Sequence, residues 1–225
     1  YTSSNTAGAN IYGNTVTIIG AGSSTITANQ ATTAMYGSAT ITATMSVSQV
    51  KTVLTNFSVP AKIIGTANFD IVPPSTISNG AFTYTSSNTA VATIVGDVIT
   101  LVGLGTSRIT AIQANTTNYT SDTISATLQV SLITTVLTDF SIPATTIGSA
   151  PFTLDPPTSN STGAFTYTSS NLLVATVAGS TVTIVGTGSC TITAVQSSTS
   201  NSTSGVITAS LVVGKSENTI SNLSV

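Results

Sequence analysis

The chain has no histidine and no tryptophan, one cysteine, and only ten charged residues among 225, four basic and six acidic. Each absence removes a class of function. Without histidine a Ser-His-Asp triad cannot be assembled, and with a single cysteine neither a typical zinc site nor an internal disulfide framework is available. The acidic residues Asp70, Asp97, Asp122, Asp139, Asp155 and Glu217 are scattered, with no D-x-D pattern for calcium. A net charge of −2 gives no electrostatic footprint for nucleic acid or for an anionic membrane surface. The apolar runs are short and broken by Thr, Ser and Gly, far from the ~18 consecutive residues of a spanning helix. Charge is 4% of the chain, against about 25% in an ordinary globular protein. Disorder does not account for this, because 40% of the residues are hydrophobic and regularly placed.

What is present is a repeat. Tyr-Thr-Ser-Ser-Asn occurs at Tyr1–Asn5, Tyr84–Asn88 and Tyr167–Asn171, at a constant spacing of 83 residues. The register extends well beyond the motif. Gly20-x-Gly22 returns as Gly103-x-Gly105 and Gly186-x-Gly188, and Ile26–Gln30 as Ile109–Gln113 and Ile192–Gln196. Leu54, Phe57 and Pro60 return as Leu137, Phe140 and Pro143. An ungapped period of this length predicts an array of small self-folding domains, since solenoid repeats run to about 20–50 residues. The phase divides the chain into an incomplete repeat over 1–50, complete repeats over 51–133 and 134–216, and the first strand of a further repeat over 217–225. In that last stretch Ile220, Leu223 and Val225 match Leu54, Phe57 and Val59. The phase reads as a window on a longer polypeptide, in preference to a subunit completed by a neighbour's donated strand.

Period-2 alternation predicts strands throughout. Thr123–Val130 alternates apolar residues with Thr, Ser and Gln, placing Ile124, Ala126, Leu128 and Val130 inward and Thr123, Ser125 and Thr127 outward. Residues 207–213, 98–102, 108–113, 81–85, 54–59 and 67–71 read as further strands. Gly103-Leu104-Gly105 is a tight connection using positive φ, and the Pro73-Pro74 and Pro156-Pro157 pairs end strands. About seven short strands per repeat without helical periodicity predict an all-β, two-sheet antiparallel sandwich.

The run Phe82–Asn88, then Val91-Ala92-Thr93-Ile94, Gly103-x-Gly105 and Ile109-Thr110-Ala111 resembles the bacterial immunoglobulin-like repeats of group two. The resemblance covers both complete repeats and most of the first. It departs in Tyr84, where Trp is common, in the scarcity of charge, and in Gly8, which stands where the later copies have Val91 and Val174. It implies tandem immunoglobulin-like sandwiches in surface adhesins, S-layer or cell-wall proteins, or virion appendages.

Single residues add little chemistry. Asp155 has Val72 as its counterpart and reads as a turn residue. Cys190 aligns with Ser24 and Ser107 and reads as a small strand residue. Lys51 has Thr134 and Glu217 at the matching positions and Lys62 has Thr145, which argues against a lysine–asparagine cross-link in every unit. Gln30, Gln113 and Gln196 recur, and a side-chain amide bonding a loop backbone explains them better than a Thr–Gln ester. Outward Thr15, Thr17, Thr25, Thr27, Thr40 and Thr42 form a neutral polar face rather than an ice template. The aromatics Phe82, Tyr84, Phe152, Phe165 and Tyr167 read as core. Asn-x-Ser/Thr sequons make Asn56, Asn115, Asn118, Asn160, Asn201 and Asn222 the acceptors if a glycosylation pathway handles the protein.

These readings converge on a non-enzymatic extracellular segment at a cell or virion surface, with no cofactor and no metal. Its form is a rod of immunoglobulin-like beads in a stalk, fibre or surface layer. Its partners are neighbouring repeats or copies of the same protein, whose uncharged edges at 38–47 and 207–213 favour lateral packing. The alternative is a glycan- or protein-binding module.

Overall fold

The computed structural model describes residues 1–217 and is all-β. It divides into two compact units, Tyr1–Lys62 with Thr66–Val130, and Ile63–Gly65 with the chain from Ser131 onward.

The second unit shows the architecture most simply. One sheet has the order Thr145–Thr146, Gly205–Gly214, Gly188–Gln196, Phe165–Ser169. The other has the order Phe152–Thr153, Thr181–Ile184, Ala175–Ala178. All pairings are antiparallel except that of Thr145–Thr146 with Val213 and Gly214. The inward residues of the long hairpin, Cys190, Ile192 and Ala194 facing Leu211, Ala209 and Ile207, meet Phe140, Leu154, Val174, Ala175 and Val182 in one core. This is an immunoglobulin-like β-sandwich.

Within the first unit, residues 51–130 repeat that layout. Gly105–Gln113 lies between Asp122–Ser131 and Phe82–Ser86, and Val98–Leu101 lies between Phe69–Asp70 and Ala92–Val95. Residues 1–47 form only part of it, a sheet Thr2–Ser3, Gly22–Gln30, Ala39–Val47 and a hairpin Ala9–Tyr12, Thr15–Ile18. The long hairpin keeps one register in all three copies, with Gly22 opposite Val47, Gly105 opposite Val130 and Gly188 opposite Val213.

The alternation read from sequence has the correct parity. Leu128 and Val130 are buried, Ile124 and Ala126 half-buried, and Thr123 and Thr127 exposed, while Ser125 is half-buried beneath the Arg108 side chain, whose Nε donates to its hydroxyl at 2.7 Å. Two expected strands are corrected. Residues 54–59 form no regular strand, only a bridge between Thr55 and Ser75, because Asn56 sits at φ 57°. A left-handed residue turns the chain out of the pleat, and Asp139 does the same in the second unit. Residues 67–71 shrink to Phe69–Asp70. The Ala92–Val95 strand, not anticipated as such, turns into Val98–Leu101 through Gly96 at φ 63°. The Gly-x-Gly turn uses its two glycines differently. Gly105 takes the positive φ, whereas a Cβ on Gly103 would lie 2.6 Å from the Ala90 carbonyl oxygen.

Candidate functional site

Among the described residues the geometry brings together no catalytic constellation. What recurs is a set of hydrogen-bonded ties that join the early, irregular part of each repeat to its long hairpin.

The Tyr-Thr-Ser-Ser-Asn motif is a clasp. Its second serine backbone and hydroxyl bracket the neighbouring strand: Ser87 N donates to Arg108 O at 3.0 Å while Arg108 N donates to Ser87 Oγ at 2.9 Å. Ser170 and Thr191 repeat the arrangement, as do Ser4 and Thr25. The asparagine then starts a turn. Asn88 Oδ1 accepts from Ala90 N at 3.1 Å, and its backbone oxygen accepts from Val91 N and Ala92 N. Short polar side chains that bond backbone two residues on are the ordinary means of fixing such a turn. The first serine faces inward, where Ser86 Oγ and Ser107 Oγ lie 2.7 Å apart. Cys190 occupies the Ser107 position in the second unit, buried, as a small residue on the core face.

The recurring glutamine is a hub. Gln113 is buried, its Nε2 donates to Ser78 O at 3.1 Å and Gly80 O at 2.9 Å, and its Oε1 accepts from Thr76 Oγ1 at 2.8 Å. Gln196 is held in the same way by Ser161 O, Gly163 O and the Ser159 hydroxyl. The amide therefore bonds the loop backbone, as a buried amide must. Glycine is required beside it, since a Cβ on Gly80 would fall 2.1 Å from Ala114 O and one on Gly163 1.9 Å from Ser197 O. Gln30 is exposed.

A reciprocal threonine pair ties Thr52 and Thr135 to the segments that lead into Asp122–Ser131 and Gly205–Gly214. Thr52 N donates to Thr120 Oγ1 at 3.1 Å, and Thr52 Oγ1 donates to Thr120 O. Thr135 and Thr203 repeat both bonds. Just before these pairs single parallel bridges join the same segments, Val50 to Tyr119 and Ile133 to Ser202. Beyond the Thr52 pair, the carboxylate of Asp122 accepts from Leu54 N at 3.0 Å.

Within the first unit, Ala21 and Gln49 are bonded to the turn around Asn118. Its Oδ1 accepts from Ala21 N at 2.9 Å, and Gln49 Nε2 donates to Thr116 O at 2.7 Å. Of the sequon asparagines, Asn56, Asn115, Asn118, Asn160 and Asn201 are exposed, and Asn222 lies outside the described residues. Asn160 has both amide atoms engaged, Nδ2 donating to Thr134 O and Oδ1 accepting from Val136 N. Asn56 Nδ2 donates to Ser75 Oγ at 3.3 Å. Asp155 and Lys51 are exposed, and Lys62 Nζ lies over the Phe69 ring, 4.6 Å from its centroid.

The aromatics stack on one another. Tyr84 lies between Phe57 and Phe82, and Tyr167 between Phe140 and Phe165, with centroids 6.0–6.5 Å apart. Burial raises the pKa of both tyrosines, and the negative charge of Asp97 raises Tyr84 further. A raised value favours the neutral phenol in the folded chain. That contribution is complete below the ordinary tyrosine pKa and is lost as pH rises through the folded one. Alkaline titration of absorbance is therefore expected to show two tyrosines ionising at higher pH in the native chain than in urea. Asp97→Asn should lower the value of one and leave the other.

No family model matches the chain, and no curated protein matches it. Among solved structures it is similar to Drosophila N-cadherin EC1-4, at 10% identity and TM-score 0.34 over 94% of this chain and 64% of that one. It is similar to the titin domains z1z2 in complex with telethonin, at 13% identity and TM-score 0.41 over 76% of this chain and 100% of that one. It is also similar to domains 4 and 5 of the S-layer protein SbsC, at 22% identity and TM-score 0.30 over 66% of this chain and 80% of that one.

Proposed function

We propose that the chain is a load-bearing spacer of an extracellular protein, a string of group-two-type immunoglobulin-like beads displayed on a cell or virion surface. One observation supports the reading. The chain entering each complete repeat runs parallel to the segment that leads into its last strand, through single bridges at Val50 and Tyr119 and at Ile133 and Ser202, and in the second unit it then runs parallel to the last strand itself, at Thr145–Thr146 and Val213–Gly214. Tension applied through the two ends pulls such a pair in opposite directions along its length. The backbone bonds and the threonine pair are then loaded together instead of one at a time. The ties around Gln113 and Gln196 hold the remaining loop against the same hairpin, so a repeat yields as a unit.

The units are taken as 51–133 and 134–216, with 1–50 and 217–225 belonging to further repeats. Partners are other repeats or copies of the same protein. The Gly205–Gly214 strand supports lateral association, because among the described residues its outer edge is laddered only near its end, by Thr145–Thr146 with a further bond from Ile147 N, and it carries no charged side chain. Glycan attachment, where a pathway exists, falls on exposed Asn115 and Asn201 before Asn160, whose amide is already bonded. A glycan-stacking face is not favoured, since the recurring rings are half-buried and packed on each other.

Single-molecule extension of the whole chain tests the reading. Each complete repeat is expected to give one force peak followed by a contour gain of roughly 250 Å, the span of an extended repeat less the length of the folded bead. A smooth extension without peaks would remove the load-bearing role.

A further inference from the structure

The loop closed by Gln113 holds a reactive pair. Asn79 is the one asparagine of the chain that is followed by glycine. It is exposed and stands outside any strand, and among the described residues its side-chain amide has no hydrogen-bond partner. Packing requires the glycine, because a Cβ on Gly80 would collide with the Ala114 carbonyl. Packing does not require the asparagine. The matching loop of the second unit has Thr162 before Gly163 and keeps the same bonds. Gly163 N donates to Ser161 Oγ at 3.3 Å as Gly80 N does to Ser78 Oγ at 3.2 Å, and Gln196 Nε2 holds the Ser161 and Gly163 carbonyls.

The chemistry open to this pair follows from its connectivity. Glycine has no Cβ to hinder the approach of its nitrogen to the preceding side chain. Once hydroxide removes its proton, Gly80 N can attack Asn79 Cγ. The N–Cγ bond forms, the Cγ–Nδ2 bond breaks, and Nδ2 leaves as ammonia with a proton taken from water. The five-membered imide then adds one water. Opening at Cγ gives aspartate at position 79. Opening at the main-chain carbonyl leaves the chain running through Cβ and Cγ, an isoaspartyl link with one extra methylene in the backbone.

We propose that Asn79-Gly80 is a self-modification site, at which slow, irreversible conversion of asparagine to isoaspartate releases the glutamine hub of the 51–133 repeat alone. Gln113 Nε2 holds the carbonyls on both sides of Asn79, Ser78 O at 3.1 Å and Gly80 O at 2.9 Å. Just beyond, Ala81 O accepts from Ala114 N at 2.9 Å. With both ends pinned, the backbone rotation that cyclisation needs must wait for the loop to open. The hub therefore restrains the reaction, and the reaction undoes the hub. A backbone lengthened by one methylene cannot keep both carbonyls on one amide, so a buried polar group loses its partner. The product also places a carboxylate in a loop, residues 71–80, that has no charged residue.

The test incubates the full chain at mildly alkaline pH and follows Asn79 by peptide mapping, scoring the amide-to-acid mass gain and isoaspartate. Conversion is expected at Asn79 well ahead of exposed Asn115. Gln113→Ala should speed it at least about tenfold, because the loop then opens without breaking those bonds. Ile109→Ala, which weakens the same repeat from its core, should speed it far less. Asn79→Thr, the residue of the second unit, should abolish it and leave the fold intact. In the converted chain the Ala114 amide should exchange at least about tenfold faster, while that of Ser197, bonded to Ala164 O in the same way, keeps its rate. Three results would overturn the proposal: conversion at Asn79 no faster than at Asn115, equal acceleration by Gln113→Ala and Ile109→Ala, or an Ala114 amide that keeps its protection after conversion.

Discussion

Ile109→Ala is expected to destabilise the second repeat by about 2–5 kcal/mol, the usual cost of emptying a well-packed core position. Ile109 is fully buried, paired with Ala126 on one side and Ser86 on the other. Ile192→Ala should cost a similar amount, since Ile192 is also fully buried and packed in the second unit's core. Ile26 is the same residue at the same register, opposite Ala43, but is only half-buried. Its replacement should cost under about 1 kcal/mol, because little apolar surface is removed from cover. Native-state hydrogen exchange resolved by strand checks all three. Equal costs at Ile26 and Ile109 would mean that the first sheet is covered as fully as the second.

Gln113→Ala is expected to cost about 2–4 kcal/mol, although it deletes no core hydrophobe. The substitution leaves the Ser78 and Gly80 carbonyls and the Thr76 hydroxyl without their partner, and stranded polar groups of this kind cost about 1–3 kcal/mol each when buried. Among the described residues no buried side-chain nitrogen or oxygen lacks a partner, so the loss breaks a fully satisfied network. Gln196→Ala should behave alike. Gln30→Ala, at an exposed position, should fall within about 0.5 kcal/mol of the parent. Denaturant midpoints for the three variants give the comparison. An effect at Gln30 matching that at Gln113 would contradict the hub assignment.

Much of this was legible in the sequence because it repeats. The alternation in Thr123–Val130 fixed which face of the long hairpin is inward, and strand register follows from period 2 once one face is buried. The recurrence of glutamine against a background with almost no charge pointed to a buried amide bonding loop backbone, which is what Gln113 and Gln196 do. The replacement of Ser107 by Cys190 across copies identified a small strand residue, and the structure places it on the core face. The early part of each repeat was less legible. Leu54–Val59 has a strand's composition, yet Asn56 adopts φ 57° and the segment is held by side-chain bonds from Thr52 and Asp122 instead of a ladder. Those ties connect residues 68 positions apart, and no local pattern encodes them. The parallel pairing of Thr145–Thr146 with Val213–Gly214 was invisible for the same reason: two residues carry too little periodicity to announce a strand.

The spacer account rests on the direction in which each repeat is loaded, so force anisotropy tests it most directly. Cys190→Ser removes the native thiol at a position where the other repeats carry serine. Cysteine handles at exposed Thr134 and Lys215 then pull the second unit along its parallel pair in shear. Handles at exposed Thr187 and Lys215 instead peel the Gly188–Gln196 and Gly205–Gly214 ladder from its open end, one bonded pair at a time. The account predicts a rupture force several times higher for the first geometry than for the second at equal loading rate, and a drop in the first when Thr135→Val removes the hydroxyl bond of the threonine pair to Thr203 O. Equal forces in the two geometries would contradict it.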